Sequence, residues 1–178
     1  MLASQSGLAF AAQREACVLS AYPDGAGVSL GFGIFGAKMG QTISYAEAIE
    51  KYIERAKISD DDMAAIFPDY SFTQTQYDSL WEMTYNLGRT AMLKEHILLT
   101  KIHELSLDIT DRRLQDSVAA EYPNVKYTAE KGYHNLARKM SSAALFLRGD
   151  YGDLTWLKLW TEGKVPGKDP PLSVKMPI

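Results

Sequence analysis

The sequence predicts an α+β fold, mainly α, in which a small lobe built on a β-hairpin joins a larger helical lobe, with a cleft between them. Three observations carry this expectation. β-Branched and aromatic residues flank a turn at Pro23-Asp24-Gly25-Ala26-Gly27. From Ser44 onward apolar residues recur at helical spacing, and two capping boxes mark helix starts inside that stretch.

Residues 8–16 read as a short helix. The turn that follows combines a proline that presets φ, an aspartate that can bond to its own backbone and glycines that accept positive φ. It predicts a hairpin joining Val18–Tyr22 to Val28–Ile34. Gly31, Gly33 and Gly36 interrupt the second strand, which predicts bulges or a close backbone approach there, by a ligand or another segment. Ser44 with Glu47 starts a helix whose apolar face is Tyr45, Ala48, Ile49, Tyr52, Ile53 and Ala56. Ser59 is placed to cap a separate short helix through Ile66, stopped by Pro68. Thr73 with Gln76 opens another, carrying Tyr77, Leu80, Trp81 and Thr84 and ending at Gly88. Further helices are expected over about Met92–Leu105, Asp111–Glu121 and Tyr133–Arg148, the last stopped by Gly149. Trp156 and Trp160, four apart, read as one packed helix face. The tail from residue 163 holds Pro166, Pro170, Pro171 and Pro177 and reads as an extended strap or frayed end.

A chain of 178 residues is one domain's worth. We expect a hairpin lobe and linking helix over about 8–60, a helical lobe over 60–162 and the tail over 163–178. With 46% hydrophobic and 23% charged residues the composition is that of a globular protein, which excludes disorder and fibrous repeats. There is no apolar run long enough to span a membrane. The apolar stretch Gly7–Ala12 follows no basic residue and closes at Gln13-Arg14-Glu15, so it does not read as a secretion signal. Cys17 is the only cysteine, which excludes an internal disulfide and a cysteine-rich metal site and reads as a small buried apolar residue. A net charge of −3 with dispersed basic residues argues against nucleic acid as a partner, and against capture by an anionic wall through charge alone. His96, His103 and His134 have no metal-type spacing, so neither a metal nor another cofactor is expected.

Glu15 ends an apolar helix and Asp24 sits in the hairpin turn, so two carboxylates approach one region from different elements. Hydrolysis of a glycosidic bond needs such a pair, one to hand a proton to the leaving oxygen and one to stay ionised and serve water or attack the sugar. Ala12, Ala16, Val18 and Leu19 surround Glu15 in sequence and favour its protonated form, whereas Asp24 lies in a polar turn. A glutamate and an aspartate at this spacing are individually commonplace, and the wider pattern gives them weight.

The run Arg14-Glu15-Ala16-Cys17-Val18-Leu19-Ser20-Ala21-Tyr22-Pro23-Asp24-Gly25-Ala26-Gly27-Val28-Ser29-Leu30-Gly31-Phe32-Gly33 resembles the opening motif of the phage-type lysozymes, glycoside hydrolase family 24. A second match lies at Thr73-Gln74-Thr75-Gln76-Tyr77-Asp78-Ser79-Leu80 with Tyr85-Asn86-Leu87-Gly88, and a third at Leu136-Ala137-Arg138-Lys139-Met140-Ser141-Ser142-Ala143-Ala144-Leu145-Phe146. They stand in the family's order. The resemblance implies a lysozyme-like two-lobe fold with Glu15 as general acid, Asp24 as partner carboxylate and Ser29 in place of a water-holding threonine. Arg138, Asn86, Tyr85 and Gln76 are the implied substrate-binding residues, joined by Gly31 and Phe32 of the glycine-broken strand. A capping role for Gln76, a core role for Tyr85 and Trp81, and a solvated helix position for Arg138 are the competing readings. The chain departs from the motif in three places: the Asp24-to-Ser29 interval is one residue short, Ile34 replaces a histidine and Ser142 replaces a glutamate.

These residues imply a monomeric, cofactor-free enzyme that cleaves bacterial peptidoglycan between N-acetylmuramic acid and N-acetylglucosamine. A lytic transglycosylase using Glu15 alone, or a binding module that has lost turnover, would share the pattern. The acidic balance suggests delivery to the periplasm or wall by a holin-type pore, a phage particle or a secretion system. In the last case we expect an inhibitor protein that plugs the cleft.

Overall fold

The structure, a computed structural model, describes all residues except 26, 126–135, 165, 167 and 178. It is mainly helical with one small mixed sheet, as the sequence predicts. The chain divides into two compact units, Met1–Leu8 with Ile58–Gly152, and Ala9–Lys57 with Asp153–Ile178. Among the described residues no helix is long and apolar enough to cross a membrane.

In the first unit the central element is helix α3 (Gln74–Leu87), in which every residue from Gln76 to Tyr85 is buried. Its limits follow from local chemistry. Thr73 Oγ1 accepts from the Gln76 N–H at 3.3 Å while Gln76 Oε1 accepts from the Thr73 N–H at 3.0 Å, closing the expected capping box. At the other end Gly88 takes φ 71°, a left-handed value that favours glycine, and returns its N–H to Thr84 O at 2.8 Å. Helix α7 (Leu136–Arg148) packs along α3 and stops at Gly149, φ 68°. Its expected start at Tyr133, like His134, lies outside the described residues.

The stretch read as one helix over Met92–Leu105 is instead two, α4 (Arg89–Met92) and α5 (His96–Leu107). Helix α6 (Arg112–Ala119) starts at Asp111, whose side chain accepts from the Arg113 N–H at 2.8 Å, and a single 3-10 turn follows at Tyr122–Asn124. Trp81, Met83, Met92, Leu98, Ile102, Leu105 and Tyr122 fill the interior.

A buried carboxylate fixes the chain's start. Asp78 of α3 accepts from Ser4 N at 2.9 Å, Gln74 Nε2 at 2.8 Å, Tyr151 Oη at 2.6 Å and also Ser4 Oγ. Ser4 in turn caps helix α1 (Gln5–Glu15) through the Gly7 N–H at 3.0 Å. The separate helix expected after Ser59 does not exist. Ser59 is buried within one continuous helix, α2 (Tyr45–Ile66), which begins at the expected Ser44–Glu47 capping box. Serine at a helix start caps, but here no glycine or proline breaks the helix before it, and burial keeps Ser59 on the inner face.

The second unit holds a five-stranded sheet in the order β3-β2-β1-β4-β5, formed by Ile34–Phe35, Gly27–Gly31, Cys17–Asp24, Trp156–Trp160 and Leu172–Lys175. The expected hairpin is its β1–β2 pair, antiparallel, with Asp24 opposite Gly27 and a register shift between Val18 and Tyr22. β4, just before the tail, runs parallel to β1, and the tail contributes β5, which pairs back on β4. Trp156 and Trp160 are therefore strand residues, not the helix face expected. A spacing of four returns to the same face in either period, and the alternation Trp-Leu-Lys-Leu-Trp decides it. Leu157 and Leu159 are buried while Trp156 stays 50% exposed. Phe10, Ala11, Ala12, Cys17, Val18, Leu30, Phe32 and Tyr52 are buried alongside them.

Candidate active site

Glu15 is the last residue of α1, and Ala16 turns the chain into β1. Ala16 has φ 58°, the one positive φ among the described non-glycine residues, at a cost of about 1–2 kcal/mol. The turn is held on both sides: Ala16 N bonds Ala12 O at 3.0 Å, and Cys17 and Val18 beyond it are buried in the sheet. Burial also pushes the Cys17 thiol up to about 12, so it packs as the apolar residue expected.

The Glu15 side chain is half-buried and lies against the backbone of Gly33. A methyl group added at Gly33 would sit 2.5 Å from Glu15 Oε2, and Gly33 itself has φ 69°. Both facts require glycine. Gly33→Ala is expected to lower any turnover that depends on Glu15 about 100-fold by displacing the carboxyl, beyond a stability loss of about 1–2 kcal/mol. Turnover compared with the thermal midpoint separates the two effects; unchanged turnover would mean that the Glu15 position is immaterial.

Asp24 ends β1 and is exposed, whereas Ser29 on β2 is 0% exposed. Ser29 Oγ donates to Asp24 Oδ2 at 2.7 Å. The shortened interval between them is thus compatible with a direct bond, because Asp24 pairs with Gly27 across a tight turn and Ser29 stands opposite Tyr22. Tyr22 is a neighbour that the sequence reading passed over. Burial first, then the nearby Asp24 and Glu15 carboxylates, push its phenol up to about 12, so it stays protonated between them. Its signal was present in the opening motif, two residues before Asp24.

The expected substrate-binding residues separate. Phe32 is fully buried with its ring 4.9 Å from that of Tyr52, so its side chain belongs to the core and not to a binding surface. Gly31 beside it is buried with φ 62°. Gln76, 2% exposed, is taken up by the α3 cap, and Tyr85 is buried with its ring 5.5 Å from that of Trp81. Phe32, Gln76 and Tyr85 thus have their side chains buried and packed or bonded inside the protein, whereas Gly31 has only backbone to offer.

Arg138 is not a solvated helix residue. It donates through Nε to Glu82 Oε1 at 2.6 Å, and Glu82 is 0% exposed. Asn86 Nδ2 donates to the same oxygen at 2.9 Å and Ser142 Oγ to Glu82 Oε2 at 2.8 Å. Glu82 organises two of the expected residues, yet the sequence reading missed it; the signal was a glutamate inside the apolar run Leu80-Trp81-Glu82-Met83. Asn86 is half-buried and lines a groove of about 660 Å³ together with Leu87, Lys94, His96, Glu121 and Val125. Among the described residues no cluster of three or more histidine, cysteine, aspartate or glutamate side chains could hold a metal, and His103 Nδ1 is 3.0 Å from Tyr70 Oη.

Comparison with known proteins gives the family and the fold. The family described as phage lysozyme matches residues 12–139. No curated protein sequence matches. Among solved structures the chain is similar to an endolysin from the Escherichia coli O157:H7 phage FAHEc1, with TM-score 0.66 and 24% identity over 86% of this chain and 98% of that one. A P22 lysozyme variant gives TM-score 0.62 and 22% identity over 83% and 99% of the two chains. The muramidase domain of SpmX from Asticaccaulis excentricus gives 0.65 and 19% over 82% and 97%. At such identities these likenesses establish the fold.

Proposed function

The chain belongs to the phage lysozyme family, and from that premise we propose that it hydrolyses the β-1,4 bond between N-acetylmuramic acid and N-acetylglucosamine in bacterial peptidoglycan. The observation that carries the reading is the Ser29 hydroxyl bonded to Asp24, on the same unit as a half-buried Glu15 whose charge reaches the same tyrosine. Glu15 acts as general acid and gives its proton to the leaving oxygen as the bond to the muramic acid C1 breaks. Asp24 takes a proton from the attacking water. Ser29, fully buried, spends its hydrogen on Asp24 and so orients the carboxylate that holds the water. Direct displacement by water inverts the anomeric centre.

Gly31 through its backbone, and Asn86 and Arg138 through their side chains, are assigned to sugar binding, the last two oriented by Glu82. No cofactor enters these steps. The enzyme acts on the wall as a monomer.

Product analysis tests the whole reading. Purified peptidoglycan incubated with the protein is expected to release muramic acid reducing ends that are initially the α anomer, followed by NMR. An initial β anomer would replace inversion by retention. Anhydromuramic ends without new reducing ends would make it a transglycosylase. Pelleting on the wall with no product would make it a binding module.

A further inference from the structure

We propose that the C-terminal hairpin, acting through Gln13, positions Glu15 for proton transfer; this rests on the reading of Glu15 as the general acid. Gln13 lies two residues before Glu15 on the last turn of α1. At 3.6 residues per turn, two residues are about 200° apart, so the two side chains leave the helix on opposite sides. Glu15 lies against Gly33. On the other side, Gln13 Nε2 donates to Asp153 O at 2.6 Å and to Trp156 O at 3.0 Å. One carboxamide thus spends both its hydrogens on a single loop.

That loop is built before Gln13 reaches it. Asp153 Oδ1 accepts from Thr155 N at 2.8 Å, and Met176 of the returning strand donates its N–H to Thr155 O at 2.9 Å. The hairpin then continues along the chain that follows Glu15. Strand β4 pairs in parallel with β1 at Cys17 and Val18, and Gly163 N donates to Ser20 Oγ at 2.8 Å. Glu15 and the left-handed Ala16 therefore sit between two attachments to one element, Gln13 before them and Cys17 with Val18 after. The hairpin lies beyond residue 139, where the family match ends, so it is a support this chain carries in addition to the matched region.

The test uses the full-length protein, solubilised peptidoglycan fragments and three variants. Gln13→Met keeps length, helix propensity and net charge but has no hydrogen to give. It is expected to lower kcat about tenfold with KM within about twofold, because a displaced acid slows the chemical step and not binding. Its kcat–pH profile should shift on the limb set by Glu15, since the surroundings of that carboxyl change without a change in charge. Gln13→Lys returns donors to the two carbonyls and should recover most of the lost kcat. Gln13→Met with the wild-type kcat and pH profile would overturn the proposal, as would a loss that Gln13→Lys fails to recover while both variants melt as the wild type. Glu15→Gln is run beside them. If it retains turnover, the acid has been misassigned and the proposal falls with it; if it is inactive, the Gln13 results judge the hairpin alone.

Discussion

Glu15→Gln is expected to reduce release of reducing ends from peptidoglycan by about three orders of magnitude while the thermal midpoint stays near that of the wild type. The substitution keeps the shape of the side chain, so the amide can occupy the place against Gly33 where the glycine leaves room. What it removes is the transferable proton. General acid catalysis by a positioned carboxyl contributes about 10²–10⁴-fold, and the upper part of that range applies when the leaving group is a poor one such as a sugar alkoxide. Stability should not follow, because the side chain is only half-buried. Asp24→Asn, measured in parallel, should also be impaired, since the carboxylate that accepts from Ser29 also has to take the water's proton. Residual activity of Glu15→Gln within tenfold of the wild type would remove Glu15 from the mechanism and leave Tyr22, the protonated neighbour, as the group to examine next.

The contrast between what the sequence disclosed and what it concealed follows the range of the signal. Thr73 with Gln76, Ser44 with Glu47 and the stop at Gly88 are written within four residues and appear in the fold as read. The contact between Asp24 and Ser29 is local for a similar reason, because turn and strand bring two residues five apart into hydrogen-bond distance. Ser59 shows where locality fails. A serine before a short apolar segment has the chemistry of a cap, and only the burial of Ser59 on one face with Ala56 and Met63 shows that the helix runs through it. Strand β4 fails differently. Its pairing with β1 spans about 140 residues of chain, as the bond from Gly163 to Ser20 illustrates, and no periodicity near Trp156 can announce a partner that distant. Phe32 carried plausible chemistry for sugar contact, and what assigns it to the interior is tertiary packing against Tyr52, whereas Gln76 is taken up by its own local cap.

Glu82→Ala is the substitution expected to cost the most stability, about 3–5 kcal/mol. The carboxylate is fully buried and accepts from three donors on two helices: Arg138 and Ser142 on α7 and Asn86 on α3. Removing it takes the carboxylate from a guanidinium that is 15% exposed, while Asn86 and Ser142 keep Glu82 O and Arg138 O as acceptors, so the penalty is mostly that of the buried charge left over. For a protein of this size a loss of that order lowers the thermal midpoint by roughly 10 °C or more, measurable by circular dichroism or calorimetry. Position 142 gives the sharper test. The family's third motif has a glutamate where this chain has Ser142, and the buried carboxylate comes from α3 instead, 2.8 Å from the Ser142 hydroxyl. A glutamate at position 142 would bring a second carboxylate to the same place. Ser142→Glu alone should therefore be destabilising, because two carboxylates would then crowd one arginine. The double substitution Glu82→Ser with Ser142→Glu should recover more than half of the loss caused by Glu82→Ala, a coupling that independent sites would not give. A double variant as unstable as the sum of its parts would show that the α3 position of the carboxylate is itself required. In that event Asn86, whose amide also bonds Glu82 O at 2.8 Å, would be the residue the carboxylate exists to orient.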